Sequence, residues 1–135
     1  MSEATQSRPD VDIQADIQHL ETQYPPLVND RHKVDFIVQD GVVTVSGYVK
    51  AVPTYNYLLN NLAEIPGVKQ VIADNFYSDE GIRRHAGGAV PFGVQVRVEY
   101  GAIVLTGDLP DDTTVEAVVD NLRMVQGVHR VVTAF

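Results

Sequence analysis

The sequence repeats itself at a fixed offset of sixty residues, so that Val34–Asn75 aligns without a gap on Val94–Phe135. Ten aligned pairs are identical, and seven more are conservative exchanges. An internal repeat constrains the fold strongly, because each copy must form the same supersecondary unit. The shared positions carry packing and turn residues, and they offer no nucleophile, metal ligand set or phosphate loop. This pattern favours a binding module over an enzyme.

The size and composition of the chain exclude several kinds of fold stabilisation and ligand. Each half of the chain has roughly sixty residues, a size at which one hydrophobic core is marginal, so the two halves are expected to stabilise each other. The chain has no cysteine, which excludes disulfides and cysteine-bound zinc. Its formal net charge of −8 disfavours non-specific binding to nucleic acid or to an anionic membrane.

Each copy is predicted to fold as strand, turn, strand, helix and strand. Asp40-Gly41 stands between two apolar runs and predicts a type I′ hairpin turn, which needs positive φ at both central residues. Tyr100-Gly101 takes its place in the second copy. Gly47 interrupts the returning strand and predicts a bulge or a close backbone approach. Six recurring glycines are predicted to be structural turn residues: Gly41, Gly47, Gly67, Gly101, Gly107 and Gly127.

The segments ahead of the two copies differ. Apolar residues at helical spacing from Pro9 to Tyr24 predict a helix, which Pro25-Pro26 ends. The matching stretch GIRRHAGGAV is too rich in glycine to predict a comparable helix. The sequence therefore predicts an α+β fold of two tandem units, αββαβ and then ββαβ, each a small mixed sheet backed by helix.

The chain is predicted to have four parts. They are a flexible N-terminus at residues 1–8, a first unit at 9–75, a connector at 76–92 and a second unit at 93–135. The missing helix would leave part of the second sheet uncovered, and an uncovered apolar face marks an interaction surface. Phe76 or Phe92 of the connector is expected to help cover it.

Basic residues form two short islands in this acidic chain, each a few residues ahead of a predicted hairpin. Two interpretations stay open. The islands are solvated loop residues, or they join and bind a phosphate head group or an acidic partner, with Arg31, Arg83 and Arg84 as the better candidates. The islands consist of Arg31, His32 and Lys33, and of Arg83, Arg84 and His85.

Metal binding has weak support in the sequence. The four histidines are scattered. Asp108, Asp111 and Asp112 share one loop, and three carboxylates could hold calcium. The loop fails the EF-hand template, and acids that lead into a helix N-terminus are favoured by the helix dipole. We predict no metal and no cofactor.

Two stretches of the first copy, QDGVVTVSGYV at residues 39–49 and LAEIPGVKQV at residues 62–71, resemble the BON domain family of bacterial osmotically inducible and nodulation proteins. In the second copy, YGAIVLTGDL at residues 100–109 and MVQGVHRV at residues 124–131 are similar. The resemblance implies an αββαβ fold found in bacterial envelope proteins. It also implies phospholipid binding or an adaptor role, and some relatives respond to potassium in the cytosol.

These observations together predict a non-enzymatic adaptor that binds protein or self-associates, with anionic phospholipid as a second ligand. The alternative is a potassium-responsive sensor. No nucleic-acid partner and no transmembrane segment are expected. If Met1 is the native start, the expected location is the cytoplasm, and if a signal has been removed it is the periplasm or the envelope.

Overall fold

The computed structural model describes residues 8–135. The fold is α+β, as predicted, and the chain forms two compact units. Unit 1 runs to Val49 and then from Pro53 to Phe76, and unit 2 consists of Lys50–Val52 with Tyr77–Phe135. The predicted flexible N-terminus lies outside the described residues except for Arg8, which pairs with Asp16 at 2.5 Å.

Unit 1 follows the predicted αββαβ order, with one short helix added. Pro25-Pro26 ends the first helix as expected and begins the added one. The sheet order is β1-β2-β3, and β1 and β2 are antiparallel. The elements are α1 (Asp10–Gln23), α2 (Pro25–Asp30), a 3-10 turn (Arg31–Lys33), β1 (Val34–Gln39), β2 (Val42–Val49), α3 (Val52–Glu64) and β3 (Gln70–Ser78).

The core of unit 1 is built from one face of its sheet and the apolar sides of its helices. Ile13 and Ile17 of α1 are buried together with Leu27 of α2. Phe76 is also buried in this core, where its ring stacks on Tyr55 with 4.7 Å between centroids. Our expectation that Phe76 covers the second unit is therefore wrong. Phe92, the other candidate, is 99% exposed.

Unit 2 repeats the same plan in a shorter form. Its sheet order is β4-β5-β6, with β4 and β5 antiparallel and β5 and β6 parallel. Buried apolar side chains from the strands and both helices form its core. The elements are α4 (Asp79–Gly87), β4 (Val94–Glu99), β5 (Ala102–Gly107), α5 (Val115–Arg123) and β6 (Arg130–Thr133).

The helix α4 corrects the prediction that the second unit lacks its first helix. Gly87 is the last residue of α4 and Gly88 follows it as the C-cap, while the Ser78 side chain caps the N-terminus. The glycines that argued against a helix thus mark its end. Unit 2 is αββαβ, and the predicted connector at 76–92 contains the end of β3 and all of α4.

The hairpin turns agree with the sequence prediction. Asp40 and Gly41 have φ of 52° and 82°, and Tyr100 and Gly101 have φ of 46° and 82°. Gly47 lies so close to the Lys33 carbonyl oxygen that a Cβ would collide with it. The predicted close backbone approach is confirmed there. Among residues 8–135, no helix is long and apolar enough to cross a membrane.

Candidate functional site

The N-terminus of α4 is fixed by a capping side chain. The Ser78 hydroxyl accepts a hydrogen bond from the Gly81 N–H at 3.1 Å. Asp79 and Glu80 occupy the first turn, where negative charge interacts favourably with the positive end of the helix dipole. These residues therefore fix the start of α4 at Asp79.

A carboxylate anchors α4 to the hairpin of its own unit. Asp79 is buried, and its Oδ2 accepts from the Tyr100 N–H at 2.7 Å while its Oδ1 accepts from the Gly101 N–H at 3.0 Å. Two positive-φ residues thus present their amides to one carboxylate. This contact sets the position of α4 along the sheet.

The basic island of α4 lies on the side of the helix away from the core. Ile82 and Ala86 are buried, and α4 packs against β4. These two residues are four apart and share one face. The remaining face carries exposed side chains, namely Arg83, Arg84 and His85. His85 is held by its own helix, with Nδ1 at 3.0 Å from the Gly81 carbonyl oxygen.

A groove of about 390 Å³ runs between α4 and β4. Arginines line its helix side and valines its strand side. Glu80, the one acid in the lining, is held elsewhere, because its Oε1 accepts from the Val52 N–H at 2.8 Å. The groove is lined by Glu80, Arg83, Arg84, Gly87, Val90, Val94 and Val96. We call it the α4–β4 groove.

Unit 1 has an equivalent groove with different chemistry. It lies between α1 and β1 and has a volume of about 250 Å³. Gln14 aligns with Arg83 and Ala15 with Arg84, so the helix side of this groove carries neither arginine. Its lining includes Glu21, and burial raises the pKa of that carboxyl while Arg31 opposes the rise. Of these two equivalent grooves, the one in unit 2 carries arginines on its helix side and the one in unit 1 does not.

The first basic island lies in the 3-10 turn of unit 1. Arg31, His32 and Lys33 are all exposed. Their turn leads into β1, and the Lys33 carbonyl oxygen lies against Gly47. This island does not line the groove of its own unit. The joining of the two islands into one site stays a prediction.

The acidic loop of unit 2 and the histidines give no metal site in the described part of the chain. Asp108, Asp111 and Asp112 are exposed. Across residues 8–135 there is no group of three or more histidine, aspartate or glutamate side chains placed to hold a metal.

Sequence reasoning missed the two anchoring carboxylates. In unit 1, Asp10 accepts from the Asp40 N–H at 2.9 Å and from the Gly41 N–H at 3.1 Å, as Asp79 does in unit 2. A second repeat offset of sixty-nine residues carries this signal. It aligns Asp10, Ile13 and Ile17 with Asp79, Ile82 and Ala86.

Comparison with protein families confirms the resemblance over the second unit. The BON domain model matches residues 79–135. The match begins at Asp79, the first residue of α4, so the leading helix belongs to the matched domain. A search of curated proteins found no match to this chain.

Solved structures give distant matches. One is CdsD, a structural protein of the type III secretion system of Chlamydia trachomatis, at 17% identity and a TM-score of 0.40, over 90% of this chain and 90% of that one. Another is the C-terminal domain of CdsD, at 16% identity and a TM-score of 0.38, over 95% of this chain and all of that one.

Proposed function

We propose that this chain, whose residues 79–135 form a BON domain, is a non-enzymatic module that binds a partner protein at the α4–β4 groove. One observation carries the proposal. A chain of net charge −8 places Arg83 and Arg84 side by side on the lining of one groove, where the equivalent helix of the other unit has Gln14 and Ala15. Clustered like charge in an otherwise acidic protein favours an acidic ligand.

The side chains that line the groove favour binding over catalysis. A catalytic acid or base needs a cleft in which its proton affinity is tuned by burial or by a neighbouring charge. Here the arginines are exposed, and the carboxylate of Glu80 is occupied by a backbone amide. The groove offers charge and apolar contact, which are the elements of recognition.

An anionic phospholipid head group is the second candidate ligand. Adjacent guanidinium groups suit a phosphate as well as a carboxylate. The net charge of the chain repels an anionic membrane surface, which carries many charges, more strongly than a partner segment with a few carboxylates, and this repulsion is long-ranged at low salt. We therefore place the protein partner first.

Photo-crosslinking from inside the groove separates these candidates. Gly87 can carry a benzoylphenylalanine, because it is exposed and a Cβ there meets nothing within 4 Å. Gln18 is the matched control, since it aligns with Gly87 and lines the unit 1 groove. We expect a protein adduct at residue 87 that Arg83→Glu with Arg84→Glu abolishes, and no such adduct at residue 18.

The other outcomes decide against the proposal. Lipid adducts at residue 87, with co-sedimentation on anionic vesicles but not on neutral ones, would assign the groove to a head group. Protein adducts that persist unchanged after charge reversal would show that the arginines do not recruit the partner.

A further inference from the structure

We infer that the α4–β4 groove takes an extended, acidic segment of its partner as an additional strand on the free edge of β4. This inference rests on the proposed protein-binding function and names the form of the ligand. It combines two independent features of unit 2, the backbone groups of an edge strand and the cationic lining of the groove beside that strand.

The strand β4 has one open side. It stands at the end of the order β4-β5-β6, and among residues 8–135 no strand pairs with its other edge. An edge strand presents a row of backbone donors and acceptors that another chain can pair with. Strand addition to such an edge is a common way of binding extended peptides.

The register identifies the outward backbone groups. The Asp108 N–H donates to the Gly93 carbonyl oxygen at 2.9 Å, which makes this facing pair a hydrogen-bonded one. In an antiparallel ladder, residues at alternate positions turn their amides toward the partner strand. Gln95 and Arg97 therefore face β5, and the N–H and C=O groups of Val96 and Val98 point to the open edge.

Two further features identify the residue at which the β4 edge becomes available for pairing. The Val94 N–H is already used, because it donates to the Pro91 carbonyl oxygen at 3.2 Å. The usable edge therefore begins at Val96, which also lines the groove. A strand bound there lies beside α4, with every second side chain directed toward Arg83 and Arg84.

Charge selects the occupant. Acidic side chains at alternate positions of the added strand would meet the two arginines, while the positions between them would face the other side of the sheet beside exposed Arg97. A basic strand would be repelled. A lipid head group would use the arginines and leave the amides of Val96 and Val98 without a partner.

Unit 1 supplies the internal comparison. Its edge strand β1 has the same place in the order β1-β2-β3, and the groove beside it is lined by Gln14, Gln18 and Glu21. An acidic strand would gain edge hydrogen bonds there, but it would meet a carboxylate and no arginine on the helix side. We therefore expect unit 2 to bind the acidic strand and unit 1 not to.

Fluorescence anisotropy with the full chain tests the inference. The probe is a short fluorescein-labelled peptide that alternates glutamate with threonine, and the control peptide replaces each glutamate with lysine. We expect salt-sensitive binding of the acidic peptide alone. Arg83→Glu with Arg84→Glu is expected to weaken it about tenfold, whereas Gln14→Glu with Ala15→Glu changes it little.

Backbone pairing is tested separately from charge. A peptide with the same sequence but with N-methyl groups on alternate residues, made in both registers, keeps its charge and loses strand pairing. We expect at least one register to lose about tenfold in affinity, as one lost set of edge hydrogen bonds implies. Val98→Pro should have the same effect on the unmodified peptide, and Val38→Pro, its repeat equivalent, should not.

Each contrary result has a distinct meaning. If both N-methylated peptides bind as tightly as the unmodified peptide, strand addition is overturned. If the acidic peptide fails to bind while residue 87 still crosslinks to a protein, the inference is wrong and the protein-binding function stands. If residue 87 crosslinks to no protein and the peptide also fails, both are wrong.

Discussion

Asp79 and Gly101 are joined by a 3.0 Å hydrogen bond between the aspartate Oδ1 and a buried backbone N–H. The other carboxylate oxygen accepts from Tyr100 at 2.7 Å, so one side chain satisfies both amides of a positive-φ turn. The helix that carries the arginines is thereby fixed to the hairpin that ends β4. The proposed binding at the α4–β4 groove therefore depends on this anchor.

Replacement of Asp79 tests the anchor. Asp79→Ala leaves two amides without their acceptor, and we expect the free energy of unfolding to fall by about 2–4 kcal/mol, as for the loss of hydrogen bonds to a buried charged group. Asp10→Ala, the unit 1 equivalent, should cost less, because Asp10 is partly exposed. Urea unfolding measures both. Equal losses, or a smaller loss for Asp79, would contradict the argument.

Glycine at position 107 is expected to be irreplaceable by alanine. Its φ is 95°, and a Cβ would collide with the Gly93 carbonyl oxygen. We expect Gly107→Ala to cost about 3 kcal/mol from backbone strain and steric overlap together. Gly87→Ala is the control, because a Cβ there meets nothing, and it should stabilise α4 by about 0.5 kcal/mol. Thermal unfolding in which the two substitutions behave alike would refute this account.

Phe76 and Phe92, which the sequence analysis linked to unit 2, should differ sharply in their contribution to the free energy of unfolding. Phe76 is 2% exposed in the core of unit 1, whereas Phe92 is 99% exposed. We expect Phe76→Ala to lower the free energy of unfolding by about 3–5 kcal/mol, as for other buried phenylalanines. Phe92→Ala should stay within about 0.5 kcal/mol of the unchanged protein. A comparable loss at both positions, measured by urea unfolding, would contradict the structure.

The repeat predicted the hairpins correctly because turn chemistry is local. Positive φ at Gly41 and Gly101 follows from a two-residue connection between strands, whatever surrounds it. The same reasoning missed α4, because the repeat offset changes from sixty to sixty-nine residues ahead of the hairpin. Nine fewer residues separate the start of α4 from β4 than separate the start of α1 from β1. A gapless alignment cannot follow that change.

The candidate site could be predicted only in part. Arg83 and Arg84 stand out in an acidic sequence, and both line the α4–β4 groove. Their neighbours in that groove could not be read from the sequence, because Val96 is brought to α4 by tertiary packing. The free edge of β4 depends likewise on sheet order, which no local pattern contains.

The carboxyl of Glu21 is expected to make the free energy of unfolding of unit 1 rise as the pH falls. Burial raises its pKa and Arg31 lowers it in part, so the folded state binds the proton more tightly than the unfolded state. Protonation of this group therefore raises the free energy of unfolding as the pH falls through its folded pKa. At neutral pH the charged carboxylate opposes folding. Glu21→Gln should then be slightly more stable than the unchanged protein, and the two should converge in acid.

Urea unfolding across neutral and acidic pH measures this difference. Arg31→Ala should enlarge the gain from Glu21→Gln at neutral pH, because it removes the cation that offsets burial. Arg123→Ala is the matched control, since this exposed arginine of α5 pairs with Asp120 at 3.6 Å. A gain that is constant with pH would mean that Glu21 acts through packing, and a loss at neutral pH would mean that its charge stabilises unit 1.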